Sequence, residues 1–221
     1  MESARVTYVC PRGAQVAVRQ GVSSDRVYDM SSTVRPRRPP RQNATLLCRK
    51  VVDDMSRKLP EMAHVQAARI LFVAGEARRS SRATVRGLGK SGRPAIKLAG
   101  KRALYLVTLR PKFFRASTPE ERVETLLHEL FHVSSLFDGT LAEDRRHAQL
   151  PRRRFDALVR PLLKRYLTAG DAGLLAGLAH NGEVVARQWL ERPTSKGGRR
   201  VYTEKQLFIG PVVMITKRKL H

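Results

Sequence analysis

Thr118-Pro119-Glu120-Glu121-Arg122-Val123-Glu124-Thr125-Leu126-Leu127-His128-Glu129-Leu130-Phe131-His132 decides how this chain is read, because it sets H-E-x-x-H inside a capped amphipathic helix. An α-helix turns once in about 3.6 residues, so His128 and His132 fall on one face, one turn apart, near enough to share an ion. Glu129 sits one position round, beside such an ion rather than on it. Two neutral imidazoles suit Zn²⁺, and a carboxylate at that offset suits the acceptance of a proton from an activated water. Glu129 is therefore the expected catalytic base, and His128 and His132 are expected metal ligands. The competing reading is a plain structural helix whose histidines are satisfied by backbone or carboxylate partners.

The residues around the motif favour a helix. Thr118 serves as N-cap, Pro119 takes the first position, where no N–H is needed, and Glu121 closes a capping box. Glu120, Glu121 and Glu124 put negative charge at the positive end of the helix dipole. Val123, Leu126, Leu127, Leu130, Val133 and Phe137 recur at helical intervals, and Gly139 is the expected stop. A catalytic zinc needs a third protein ligand and one open position. His147, fifteen positions beyond His132 across a loop, is the leading candidate, with Asp138, Glu143 and Asp144 as acidic alternatives.

The chain has 221 residues and is 42% hydrophobic, enough for a substantial core. Its 43 Lys and Arg against 19 Asp and Glu give a formal net charge of +24, which draws polyanions, nucleic acid first. The alternative is an Arg-rich composition with solvated arginines on every face. The expected nucleic-acid contacts are Arg35, Arg37, Arg38 and Arg41 of a Pro-rich stretch and Lys217, Arg218 and Lys219 of the tail. Cys10 and Cys48 are too few and too far apart for a disulfide framework or a cysteine zinc site. With no apolar run of membrane-spanning length and no signal-peptide pattern after Met1, a cytoplasmic protein is expected. The oligomeric state is left open.

Three segments follow from composition. Residues 1–42 form an N-terminal segment with an Arg/Pro-rich linker, in which the runs 5–9 and 15–18 permit a hairpin. Residues 43–169 form the core. Within it Asn43 caps a helix that stops at Pro60, 68–74 reads as a buried strand, and 78–93 reads as a basic loop without apolar period. Gly87-Leu88-Gly89-Lys90-Ser91-Gly92 in that loop lacks the spacing of a phosphate loop. Residues 95–98 and 103–109 read as a hairpin about Gly100, and a helix from Pro151 carries Phe155, Leu158, Val159, Leu162 and Leu163, kinked or divided at Pro161. Residues 170–221 read as a basic, β-rich appendage with strands at 183–190, 206–209 and 212–215, broken at Gly210-Pro211.

With Leu126-Leu127-His128-Glu129-Leu130-Phe131-His132, Phe137-Asp138-Gly139 and Arg146-His147 identified, residues 43–168 resemble the zincin metallopeptidases. More narrowly, they resemble the small bacterial and phage metallopeptidases related in outline to the SprT-like group. The resemblance implies an α+β fold: a zincin-like core of a helix, a small mixed β-sheet with an edge strand, the H-E-x-x-H helix and a following helix, here with a small β-rich C-terminal appendage. It also implies Zn²⁺ held by His128, His132 and His147, Glu129 as acid/base, and a protein or peptide substrate. The strand from Leu104 to Leu109 would be the edge along which that peptide lies. Ala148 departs from the acidic residue that commonly follows the third histidine, and Gly139-Thr140 is similar to the aspzincins, whose remaining pattern does not fit. Two functions follow: a zinc-dependent peptidase acting near nucleic acid, or a basic nucleic-acid-binding or regulatory protein with a structural or inactive zinc site.

Overall fold

A computed structural model of the chain describes residues 41–75, 81–89, 94–145, 149–180, 182–194 and 201–213. The N-terminal hairpin, most of the Arg/Pro-rich stretch and the basic tail lie outside the described residues.

A short strand β1 (Gln42–Asn43) leads into α1 (Ala44–Lys58). Asn43 caps this helix, its side chain accepting the Leu46 N–H at 3.0 Å. The helix ends at Leu59, which takes an extended backbone before Pro60. Strands β2 (Ile70–Ala74), β3 (Ala83–Gly87), β4 (Ala95–Leu98), β5 (Lys101–Arg102) and β6 (Tyr105–Leu109) follow. The helices α2 (Pro111–Ala116), α3 (Pro119–Phe131), α4 (Arg152–Ala169) and α5 (Ala172–Leu178) come next, then β7 (Glu183–Trp189), β8 (Val201–Tyr202) and β9 (Leu207–Val213). The architecture is α+β, with three small sheets among the described residues and helices packed around them.

The sheet beside the H-E-x-x-H helix has the order β2-β6-β3, with β2 parallel and β3 antiparallel to β6. This corrects two expectations. Residues 83–87, read as part of a basic loop, form a strand, and the strand read as the edge over 104–109 forms over 105–109 as the centre of the sheet. In β3 the buried positions are Ala83 and Gly87, with Thr84 and Arg86 exposed between them. Such small inward residues leave almost no hydrophobic signal. The alternation in β6 marks its faces but not how many neighbours it has.

The hairpin about Ala99 and Gly100, both at positive φ (46° and 78°), joins β4 to β5 only. The Ala103 N–H still donates to the Ile96 carbonyl at 2.8 Å, and residues 104–109 then leave the hairpin to join the other sheet. α3 stops at Phe131 with His132 as its C-cap, well before Gly139. Val133 pairs instead with Leu141, and the Ala142 N–H donates to the His132 carbonyl at 2.9 Å. α4 runs undivided through Pro161, because the proline and Ala157, whose carbonyl it frees, are both exposed to water. The helix α5, capped by Asp171, was not legible in the sequence. β9 continues through Gly210-Pro211 because it is an edge strand, where a missing N–H need not be paired.

One buried cluster joins α1, β2, β6, α3 and α4 with Val184 and Ala186 of β7, which pairs with β1 in parallel. β2 is buried on both faces, with Leu71 and Val73 in a second cluster beside Ile96, Leu98 and Tyr202. A buried arginine ties the helices together. Arg122 donates to the Phe114 carbonyl at 2.6 Å, to the Ser117 carbonyl at 3.0 Å, and to the carbonyl of Leu178 at the end of α5. No helix among the described residues is long and apolar enough to cross a membrane.

Candidate metal centre

α3 carries the capping box its sequence encodes: the Thr118 hydroxyl accepts the Glu121 N–H at 3.2 Å, and the Glu121 carboxylate accepts the Thr118 N–H at 2.8 Å. His128, Glu129 and His132 open together on a cleft of about 920 Å³. Ala83, Thr84 and Val85 of the edge strand β3 line it, as do Asp156 and Arg160 of α4.

The two imidazole rings lie with centroids 5.1 Å apart. His132 Nδ1 is 2.8 Å from the backbone oxygen of Arg145. A carbonyl can only accept, so Nδ1 carries the hydrogen and Nε2 of the neutral ring holds the lone pair. This is the tautomer, fixed by a backbone oxygen, that a metal-ligating histidine uses. Fully buried Phe155 of α4 packs on both rings, at 4.3 Å from His128 and 4.9 Å from His132 between centroids. It was read from the sequence only as a core position.

Glu129 is 8% exposed, and burial pushes its carboxyl up to about 7, against the Val85 backbone N–H and the positive charge of Arg110, which both favour the carboxylate. Arg110 also donates to the Gly75 carbonyl at 2.9 Å and to the Thr84 hydroxyl at 3.2 Å, linking the exit of β2 to β3.

The loop after the motif is held by close backbone contact. Gly139 has φ +88°, and its carbonyl accepts the Gly89 N–H at 2.9 Å. A Cβ on Gly87 would lie 2.2 Å from that same carbonyl oxygen. Buried Tyr105 accepts the Gly139 N–H at 3.1 Å and donates to the Thr140 carbonyl at 2.8 Å. Gly87 and Gly89 thus serve the packing of a loop, a role their sequence pattern did not reveal.

Among the acidic alternatives for a third ligand, Asp138 accepts hydrogen bonds from the Thr140 N–H and hydroxyl at 2.9 and 2.7 Å, which hold its carboxyl below the usual range. Glu143 and Asp144 are exposed, and none of the three lines the cleft. His147 lies outside the described residues, and among the described ones no three His, Cys, Asp or Glu side chains converge to hold an ion. Arg41 pairs with Glu183 at 3.0 Å. Arg35, Arg37, Arg38, Lys217, Arg218 and Lys219 are outside the described residues. Cys48 is a buried free thiol, pushed up to about 12 by burial.

Two histidines one turn apart, one with its Nδ1 already committed to a carbonyl, suit a borderline-soft divalent ion such as zinc. With a buried carboxylate beside them, the arrangement could hold a metal ion and accept a proton from a water next to it. The family model described as "Putative phage metallopeptidase" matches residues 44–157, more than half of the chain, and the chain belongs to that family. The match runs from α1 into the second turn of α4 and includes His128, Glu129, His132 and His147. Membership makes the protein a metallopeptidase by family, which implies a metal ion and a protein or peptide substrate. No curated protein and no solved structure gives a significant match.

Proposed function

We propose that this protein is a zinc-dependent peptidase of zincin type, with His128, His132 and His147 as metal ligands and Glu129 as general base and acid. The observation that carries the reading is the opening of two imidazoles and the buried Glu129 on one cleft, beside the edge strand β3. His147 is favoured as third ligand because it follows by two residues Arg145, whose carbonyl is bonded to His132.

Zinc, when bound, supplies a Lewis acid that polarises the scissile carbonyl and lowers the pKa of a water. Glu129 takes the proton of the attacking water as the C–O bond forms and delivers it to the amide nitrogen as the C–N bond breaks. A carboxyl raised to about 7 suits a group that must both accept and release a proton near neutrality. As the edge strand of its sheet, β3 is where an extended peptide would add as a further strand. This role falls to β3 and not to the strand 105–109. The net charge of +24 supports action on substrates bound to nucleic acid, with the segments 1–42 and 170–221, both basic, on either side of the core in sequence.

The test is zinc content of the wild type and of His132→Ala, followed by cleavage of an unfolded protein by wild type and Glu129→Gln, with and without DNA. Stoichiometric zinc lost in His132→Ala, and cleavage lost in Glu129→Gln with zinc retained, are expected. Zinc without Glu129-dependent cleavage under either condition would overturn the peptidase reading.

A further inference from the structure

We infer that Arg145 is a positioning residue for the metal centre, coupling the tautomer of His132 to the end of the helix that carries both histidines. This rests on the metallopeptidase reading, but it is decided by tautomer and metal affinity, which do not require turnover.

Arg145 lies in the loop that returns after Leu141, and its carbonyl accepts the Nδ1–H of His132 at 2.8 Å. Its guanidinium Nη1 donates to the Phe131 carbonyl at 3.2 Å, and its Cζ stands 4.4 Å from the centroid of the Phe131 ring. Phe131 is the last residue of α3 and directly precedes His132. Its ring in turn meets Phe155, 5.2 Å away, which packs on both histidines. One residue therefore contacts the metal-distal nitrogen of a ligand, the terminal carbonyl of the ligand helix and the Phe131 ring, which abuts the Phe155 ring packed on both histidines.

Each contact has a physical reason. The last carbonyls of a helix lack partners within it, and a cation there is favoured by the helix dipole. A guanidinium can stack on a ring and donate in its own plane at once, which an ammonium cannot. Asp144 does not divert it, since that contact is long at 3.9 Å and the Asp144 side chain is 80% exposed. Without the guanidinium, the Arg145 carbonyl would be held only by the loop backbone. His132 could then rotate or exchange tautomers, and a ring with hydrogen on Nε2 presents no lone pair there to a metal.

The experiment uses the isotope-labelled, metal-free full chain and reads the His132 ring by long-range proton–nitrogen correlation, then measures zinc affinity by chelator competition. The wild type is expected to show the Nδ1–H tautomer. Arg145→Met is expected to mix the tautomers and to weaken zinc binding roughly tenfold to a hundredfold, as for losses in the outer shell of other metal sites, with Arg145→Lys between the two. An Arg145→Met protein that keeps both the wild-type tautomer and the wild-type zinc affinity overturns the inference. If Arg145→Met does not fold, the wild-type spectrum decides, because an Nε2–H tautomer there overturns it as well. A chain that binds no zinc yet shows the tautomer change in Arg145→Met would sink the zinc-dependent peptidase reading while leaving Arg145 as the residue that orients His132.

Discussion

Glu129 has a consequence that can be measured without any substrate. Its carboxyl, raised from 4.5 to about 7 by burial, holds its proton more tightly in the folded chain than in the unfolded one. Folding is therefore favoured by this group below its unfolded pKa, and the advantage is lost as pH rises through about 7. A shift of this size corresponds to about 3 kcal/mol. The metal-free wild type should lose urea resistance between about pH 5 and about pH 8, and Glu129→Gln should lose less of it. Equal losses in the two proteins would mean that Glu129 titrates normally. Arg122 poses the opposite case, a buried cation satisfied by carbonyls of Phe114, Ser117 and Leu178. Arg122→Met would strand those carbonyls, and we expect it to cost at least about 3 kcal/mol in chemical denaturation.

At the scale of elements, the loop between α3 and α4 depends on glycines that touch backbone. A Cβ on Gly139, at φ +88°, would lie 2.6 Å from the Gly89 nitrogen. Gly139→Ala should cost about 2 kcal/mol or more through strain and displaced backbone, and should weaken zinc binding as the loop shifts. Gly100 provides the control, since it has φ +78° but open space around it. Gly100→Ala should cost about 1 kcal/mol and leave zinc affinity unchanged. Equal zinc affinity in both variants would separate the loop from the site. Thermal melts and chelator competition on the pair distinguish these outcomes.

At the scale of the molecule, the segment after α5 contributes to the main core. β7 pairs with β1 at the threshold of α1, and Val184 and Ala186 are buried with Val51, Val52 and Leu126. A chain stopped after Gly182 loses these residues, and it also loses Tyr202 from the second cluster. It should lose cooperative unfolding and bind apolar dye, and a truncated chain that still melts cooperatively would show that residues 1–182 fold without the segment after them.

The amino-acid sequence by itself determined what depends on neighbours along the chain. The caps at Asn43 and Thr118, the H-E-x-x-H face and the apolar run of β2 are local, because each follows from contacts one to four residues apart. What only the tertiary structure decided involves partners far apart in sequence. β3 is a strand because Ala83 and Gly87 pair with Leu109 and Tyr105, and β6 is central because β2 and β3 flank it. α3 ends at Phe131 because Leu141 and Ala142 return to pair with Val133 and His132. Phe155 and Arg145 reach the histidines from other elements, and no periodicity in the residues around them announces that contact. Hydrogen bonds and packing across tens of residues carry no local signature, so the pairing of His128 and His132 on one helix face could be read from the chain, but the surroundings that hold them could not.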